Sequence, residues 1–362
     1  MVITIMIRKC EPNKLCALSS TCSLQLLIFV VLLLGYSNAW ADNTTCLSPA
    51  QISQDRPDFE QGPTKVKTSL YVLDISDISD QQQAFTADVI IDIRWFDPRL
   101  ASDSPVCRYP LSTIWHPWLQ IFNQRAISER LQPHVEVDAK GNVIYIQRYY
   151  GTFTNRLDLR NFPFDQQWLT FSLISFYPST EVKLVFNEQL AGVDDNPSIS
   201  GWYVGAESTS IVDEYATQSQ HTEQKSEQFS RLQYSLQATR DVNYYRWKVL
   251  LPLALIVIMS WTVFWIDPSQ LGPQMGAAAT AMLTLIAFLF SLRGILPPIS
   301  YLTHMDYFVY GSLALVFFTS IESILTCNLA QTNKLPLAKQ IDLWSRGIFP
   351  GLFIFLLIIY WF

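Results

Sequence analysis

The sequence predicts a β + α membrane protein in which an immunoglobulin-like antiparallel β-sandwich is followed by a four-helix transmembrane bundle. Apolar residues alternate with polar ones from about Asp42 to Asn243, and from Tyr244 onward they gather in long runs. A hydrophobic content of 49% and a positive mean hydropathy place part of the chain in lipid. The chain of 362 residues therefore divides near Asn243 into a water-facing half and a membrane half.

The N-terminus reads as a secretory signal over residues 1–41. Arg8, Lys9 and Lys14 precede an apolar core from Leu24 to Leu34, and Ala39-Trp40-Ala41 offers a small-x-small cleavage pattern. The apolar core is shorter than the roughly 20 residues needed to span a bilayer. An uncleaved first helix is the rival reading, and under either one the water-facing domain is exported. That domain is expected to cover 42–243, with 42–62 irregular.

Short strands broken by turn residues fill it, as in Phe85 to Trp95, Val143 to Tyr149, Trp168 to Phe176, Val182 to Phe186 and Leu232 to Ala238. Turn signals about every ten residues fit a sandwich with one face of each sheet buried. A short helical possibility lies near Pro110 to Trp115. In the membrane half, 244–362, four apolar segments are expected as helices: about 244–266, 275–295, 307–329 and 345–362. The loop from Ala330 to Leu343, with Lys334 and Lys339 against Asp342, reads as an inner loop.

Cys10, Cys16 and Cys22 fall in the expected signal, and Cys327 falls in a membrane segment. Only Cys46 and Cys107 could meet in an oxidising compartment, where a disulfide and two unpaired side chains are both compatible with the sequence. Neither a metal cluster nor a cofactor motif is seen. The four histidines, His116, His134, His221 and His304, offer no catalytic pairing, so no enzyme activity is expected. A net charge of -6 argues against nucleic acid as a partner.

Within the second apolar segment, Gly276, Thr280, Leu283, Ala287, Phe290 and Gly294 recur at intervals of four and three and share one helix stripe. Small and hydroxylated residues at one end and large apolar ones at the other suit a pore lining with dewetting constrictions at Leu283 and Phe290. Close helix packing through small residues is the plainer explanation of such a stripe.

Phe162-Pro163-Phe164-Asp165 resembles the signature loop of the pentameric ligand-gated (Cys-loop) receptor family, whose proline is typically cis. The two cysteines that bracket this loop in eukaryotic members are Asn155 and Leu169 here, which resembles the prokaryotic branch. The resemblance runs on in order through Trp115-His116-Pro117, Gly141-Asn142-Val143-Ile144-Tyr145, Tyr244-Tyr245, Leu251-Pro252, the run from Ser260 to Trp265, Ala281-Met282-Leu283-Thr284 and Ile295-Leu296-Pro297.

That resemblance implies a homopentamer in the inner membrane among lipids, with the sandwich in the periplasm and inorganic ions passing a pore lined by the second helix. A small-molecule agonist is expected at subunit interfaces, in an aromatic cage matched here by Phe176, Tyr215 and Phe229, with Tyr71 on the complementary face and Gln120 beside it. Aromatic faces attract cations, which suggests an amine. The positions beside the cage read Gln120 and Ile174, so a carboxylate would have to come from elsewhere, such as Glu214. Gln83 and Leu285 stand where proton-gated relatives carry titratable groups, which favours a small molecule over protons.

Coupling to the pore is implied for Asp80, Asp165 and Arg240, with Pro297 and Tyr301 on the receiving surface from Leu296 to His304. At the inner mouth, Gly272-Pro273-Gln274 carries no acid, and Arg293 stands at the outer mouth, so anion or weakly selective conduction is expected. A non-conducting membrane receptor is the alternative. Glu322, an ionisable group within the third helix, is expected to be solvated or to serve helix packing.

Overall fold

The computed structural model describes residues 46–48, 51–57, 62–217, 227–292 and 299–361. The expected signal, 1–41, and the positions of His221, Arg293, Gly294 and Pro297 lie outside them. The described residues belong to one compact unit, Cys46–Phe362.

In chain order the strands are β1 (Thr64–Ser79), β2 (Ala84–Phe96), β3 (Val106–Pro110), β4 (Leu119–Ile121), β5 (Gln124–Glu129) and β6 (His134–Asp138). They continue as β7 (Asn142–Thr154), β8 (Gln166–Pro178), β9 (Val182–Phe186), β10 (Gly192–Val193), β11 (Trp202–Thr217) and β12 (Glu227–Arg240). One sheet follows the order β10-β1-β2-β7-β6-β3, with β5 on β7 and β9 on β1; the other runs β11-β12-β8-β4. Nearly all the pairings are antiparallel, the exceptions being β9 and β10 on β1.

Alternation explains the packing. From Ser230 to Arg240 every second residue of β12 is buried, so the strand turns one face to the core along most of its length. Phe85, Phe153 and Phe171 come from both sheets and meet at ring separations of 4.9 to 5.4 Å, locking the layers together. The helical possibility near Pro110 to Trp115 is a short 3-10 turn, Leu111–Thr113. Cys46 and Cys107 form a disulfide with Cα atoms 5.7 Å apart, which ties the start of the described chain to β3.

Beyond the sandwich come four helices: α1 (Asn243–Trp265), α2 (Leu271–Leu292), α3 (His304–Gln331) and α4 (Leu335–Trp361), each long and apolar enough to cross a membrane. A π turn, Arg246–Leu250, lies inside α1, and a 3-10 turn, Thr262–Trp265, ends it.

The largest departure from the expected ranges is α4, which begins at Leu335 and not near Ser345. The expected inner loop from Ala330 to Leu343 shrinks to residues 332–334, with Asn333 in the left-handed region at a φ of 57°. Hydropathy hides this first stretch of helix because it carries Lys339 and Asp342. The backbone can nevertheless stay helical where the side chains are polar. For the same reason α2 and α3 start a few residues earlier than their apolar runs, α3 behind a reciprocal cap between Thr303 and Asp306.

Candidate ligand site, coupling cluster and pore face

The aromatic residues expected around a ligand do not all gather within one chain. Tyr215 and Phe229 face each other in register across β11 and β12, and Phe176 sits near the end of β8. Tyr71 belongs to the other sheet, where its ring lies over Gly192. A Cβ at Gly192 would come within 3.2 Å of that ring, so glycine permits the approach. Gln120 is exposed on β4, paired with Ile174 of β8.

Two aromatic residues missing from the expected set complete the surface of the four-stranded sheet. Trp118 meets Phe176 at 6.3 Å, and Phe122 meets Tyr215 at 5.2 Å. Both flank the short strand β4, where no sequence period could single them out, although both are large aromatics in a run just after Trp115-His116-Pro117. Trp118, Phe122 and Phe176 are each more than half exposed, an unusual state for large aromatics on a folded surface.

The face of Tyr215 is already used. The guanidinium of Arg231 lies 5.3 Å over its ring and is gripped by both carboxylate oxygens of Asp213. Hydrogen bonds from Arg231 hold the Asp213 carboxyl below its ordinary value. Glu214, the carboxylate expected nearby, is exposed and pairs in register with Ser230.

Arg240, Asp165 and Asp80 are brought together where the sandwich meets the helices. Arg240 Nε and Nη2 donate to the two oxygens of Asp165 at 2.7 and 3.0 Å, and Nη1 and Nη2 donate to Asp80 at 2.8 Å each. Tyr245 Oη takes the remaining Nη1 hydrogen at 3.3 Å, so all five guanidinium hydrogens are engaged. The guanidinium also lies 4.1 Å from the Trp202 ring and 4.8 Å from the Phe162 ring. Burial alone would lower the Arg240 value, but its hydrogen bonds to Asp165 and Asp80 outweigh that and raise it. Burial pushes Asp80 upward, partly opposed by Arg240.

The Phe162-Pro163 bond is cis, and the loop around it docks on the bundle. The carbonyls of Arg160 and Phe162 accept from the backbone N–H groups of His304 and Met305 at 3.0 and 3.1 Å. They thereby fill donors that the first turn of α3 cannot satisfy itself. Tyr301 Oη accepts from the Leu159 N–H at 3.1 Å, and Phe164 packs on Tyr360 near the end of α4 at 5.3 Å. Pro297, expected on the same surface, lies outside the described residues.

In α2 the stripe residues Gly276, Thr280, Leu283, Ala287 and Phe290 are all exposed, while Gln274, Ala278, Ala281 and Leu285 are buried on the opposite side. Leu283 is 67% exposed and Phe290 59%, although α1 and α3 pack against the same helix. Gln274 does not face that stripe; its Oε1 accepts from Cys327 Sγ of α3 at 2.6 Å. Glu322 is buried in α3, where its Oε1 accepts from Ser345 of α4 at 3.0 Å, a contact between helices and not a solvated end.

The family model of the neurotransmitter-gated ion-channel ligand binding domain matches residues 51–242, and that of the neurotransmitter-gated ion-channel transmembrane region matches 249–336. The chain belongs to the neurotransmitter-gated ion-channel family, the Cys-loop superfamily of ligand-gated channels, whose members are not enzymes.

Among characterised proteins it is similar to the proton-gated ion channel of Gloeobacter violaceus, 26% identical over 304 residues that cover 82% of each chain. It is 27% identical over 305 residues to a gamma-aminobutyric acid receptor subunit beta of Caenorhabditis elegans, covering 79% of this chain and 53% of that one. With gamma-aminobutyric acid receptor subunit beta-4 of Gallus gallus it shares 26% over 279 residues, 74% of this chain and 56% of the other. The chain thus spans about half the length of these two receptor subunits. It is a multi-pass membrane protein with an extracellular ligand-binding domain.

Proposed function

We propose that five copies of this chain form a ligand-gated channel in the inner membrane, the sandwich in the periplasm over residues 42–243 behind a cleaved signal, and the pore domain over 244–362. A small molecule bound between subunits opens a pore lined by Gly276, Thr280, Leu283, Ala287 and Phe290 of α2, with Gly294 following in the sequence. The observation that carries this reading is that Gly276, Thr280, Leu283 and Ala287 share one face of α2 and are all exposed, as a face that surrounds a shared lumen must be.

The ligand site in this reading joins Phe176, Tyr215, Phe229 and Gln120 of one subunit to Tyr71 of the next, which agrees with Tyr71 lying in the other sheet. An amine is the first class to test, since rings attract cations and two relatives are named for gamma-aminobutyric acid, itself an amine. Arg231 occupies one face of Tyr215, so a ligand there must meet the opposite face or the neighbouring rings. Asp80, Asp165, Arg240, Pro297 and Tyr301 transmit the change to the bundle. Selectivity is for anions or weak, because the first turn of α2 holds no acid.

The test is current across a bilayer holding reconstituted Leu283→Ala protein under an asymmetric salt gradient. Truncating the apolar constriction permits opening without a known agonist, and the sign of the reversal potential reports selectivity. A reversal potential that tracks the cation gradient overturns the selectivity, and silence from pentameric protein overturns the pore.

A further inference from the structure

Trp118 sits in the left-handed backbone region, at a φ of 46°, which a bulky residue adopts only when its neighbours hold it there. Three hydrogen bonds do so. The Trp118 carbonyl accepts from the Phe176 N–H at 3.3 Å, and the carbonyl of Pro117 accepts from Ser175 Oγ at 2.9 Å. The third runs from the Trp118 N–H to His116 Nδ1, also at 3.3 Å. Of the three, only this last one titrates in mild acid. An imidazole accepts at Nδ1 only when it is neutral and carries its proton on Nε2. A second proton on Nδ1 would point at the Trp118 N–H, and the bond would be replaced by a clash of donors.

His116 and Trp118 both line a cavity of about 380 Å³ that opens between the β4 loop and the larger sheet. Burial lowers the His116 imidazole below its ordinary value of 6.5, so it is neutral at neutral pH. Among the described residues lining the cavity, Glu129 of β5 is the one carboxylate. Tyr145 and Tyr149 of β7 are raised by burial and stay uncharged, and the lining residues from β4 are neutral.

We propose that His116 is a positioning residue for the aromatic surface, and that its protonation in mild acid releases Trp118 from its place against Phe176. The channel's response to its agonist then weakens when the external compartment acidifies. This consequence rests on the aromatic surface being the ligand site; the release of Trp118 does not.

The experiment uses full-length protein in detergent, labelled with 5-fluorotryptophan, with the Trp118 fluorine resonance assigned by its absence in Trp118→Phe. Wild type titrated from about pH 8 to about pH 4.5 should show one step in that resonance, with its midpoint below about 6.5. His116→Asn should stay at the neutral-pH position throughout, because an asparagine oxygen accepts the same N–H two residues on without titrating. His116→Leu should sit at the acid position at every pH. A flat wild-type titration, or an unchanged step in His116→Asn, overturns the proposal. With gamma-aminobutyric acid as the probe, a flat titration in a channel whose response Phe176→Ala abolishes would sink the latch and leave the ligand site standing. A clear step with a response to gamma-aminobutyric acid that Phe176→Ala leaves intact would do the reverse.

Discussion

Arg240 holds Asp165 through two hydrogen bonds, 2.7 Å from Nε and 3.0 Å from Nη2, with both side chains almost wholly buried. Asp165 in turn accepts 2.6 Å from Gln167, so neither partner has a free direction in which to relax. An ion pair so enclosed is hard to lose in halves, because whichever charge remains has no water to replace its partner.

Arg240→Ala is therefore expected to lower the unfolding free energy by about 3–5 kcal/mol. Lys339→Ala, which removes an exposed contact to Asp267, should leave the stability almost unchanged. Denaturant titration of the detergent-solubilised variants compares the two. A loss for Arg240→Ala as small as that for Lys339→Ala would mean that both carboxylates find other donors.

Asp80 gives the same cluster a pH dependence. Its folded value lies above 3.8 because burial outweighs the help of Arg240, so between 3.8 and that raised value the folded state holds more protons than the unfolded one. The stability linked to Asp80 is then full below 3.8 and is lost as pH rises through the raised value. Asp80→Asn should flatten that fall, and thermal unfolding across mildly acidic buffers would reveal it; an unchanged slope would place the titration elsewhere.

Position within the first two turns of α2 decides what a new carboxylate does. Gly276→Glu adds an acid to the exposed stripe and should move the reversal potential of an open channel toward the cation equilibrium value. Gln274→Glu instead buries an acid beside Cys327 and Thr326 and should reduce assembly or stability with little change in selectivity. Bilayer recording in a salt gradient together with size-exclusion profiles separates these outcomes, and a cation shift from Gln274→Glu would contradict the orientation of α2.

The Cys46–Cys107 disulfide closes a loop with a sequence separation of 61. Replacing both cysteines with serine should cost about 2–4 kcal/mol of stability. Reductant should lower the melting temperature of the wild type but leave that of the double variant unchanged.

Phe122 and Tyr215 are expected to be coupled. A double-mutant cycle with alanine at both positions should return an interaction of about 0.5–1.5 kcal/mol on unfolding. A value near zero would show that the rings are neighbours without attraction.

Much of this arrangement could be read from residue order, but unevenly. Alternation identifies β2, β7, β8, β9 and β12 because one face of each is buried, and burial at period two leaves its mark in composition. The trio Asp80, Asp165 and Arg240 is visible only by resemblance, since 160 residues separate the first from the last. Trp118 and Phe122 escape notice because their partners lie on β8 and β11, and no local pattern announces a contact at that distance. The burial of Gln274 was within reach. It stands with Ala278, Ala281 and Leu285 at the same intervals of four and three that define the stripe, on the opposite side of the helix.

The joint between the signature loop and α3 is made by the main chain, with the carbonyls of Arg160 and Phe162 meeting the amides of His304 and Met305. Such a joint tolerates a change of side chain and does not tolerate a change of spacing. Substitutions at Arg160 or His304 can accumulate without loosening it. A single residue inserted between Arg160 and Phe162 would throw one carbonyl out of step with its amide and leave an N–H of the first turn of α3 without its partner.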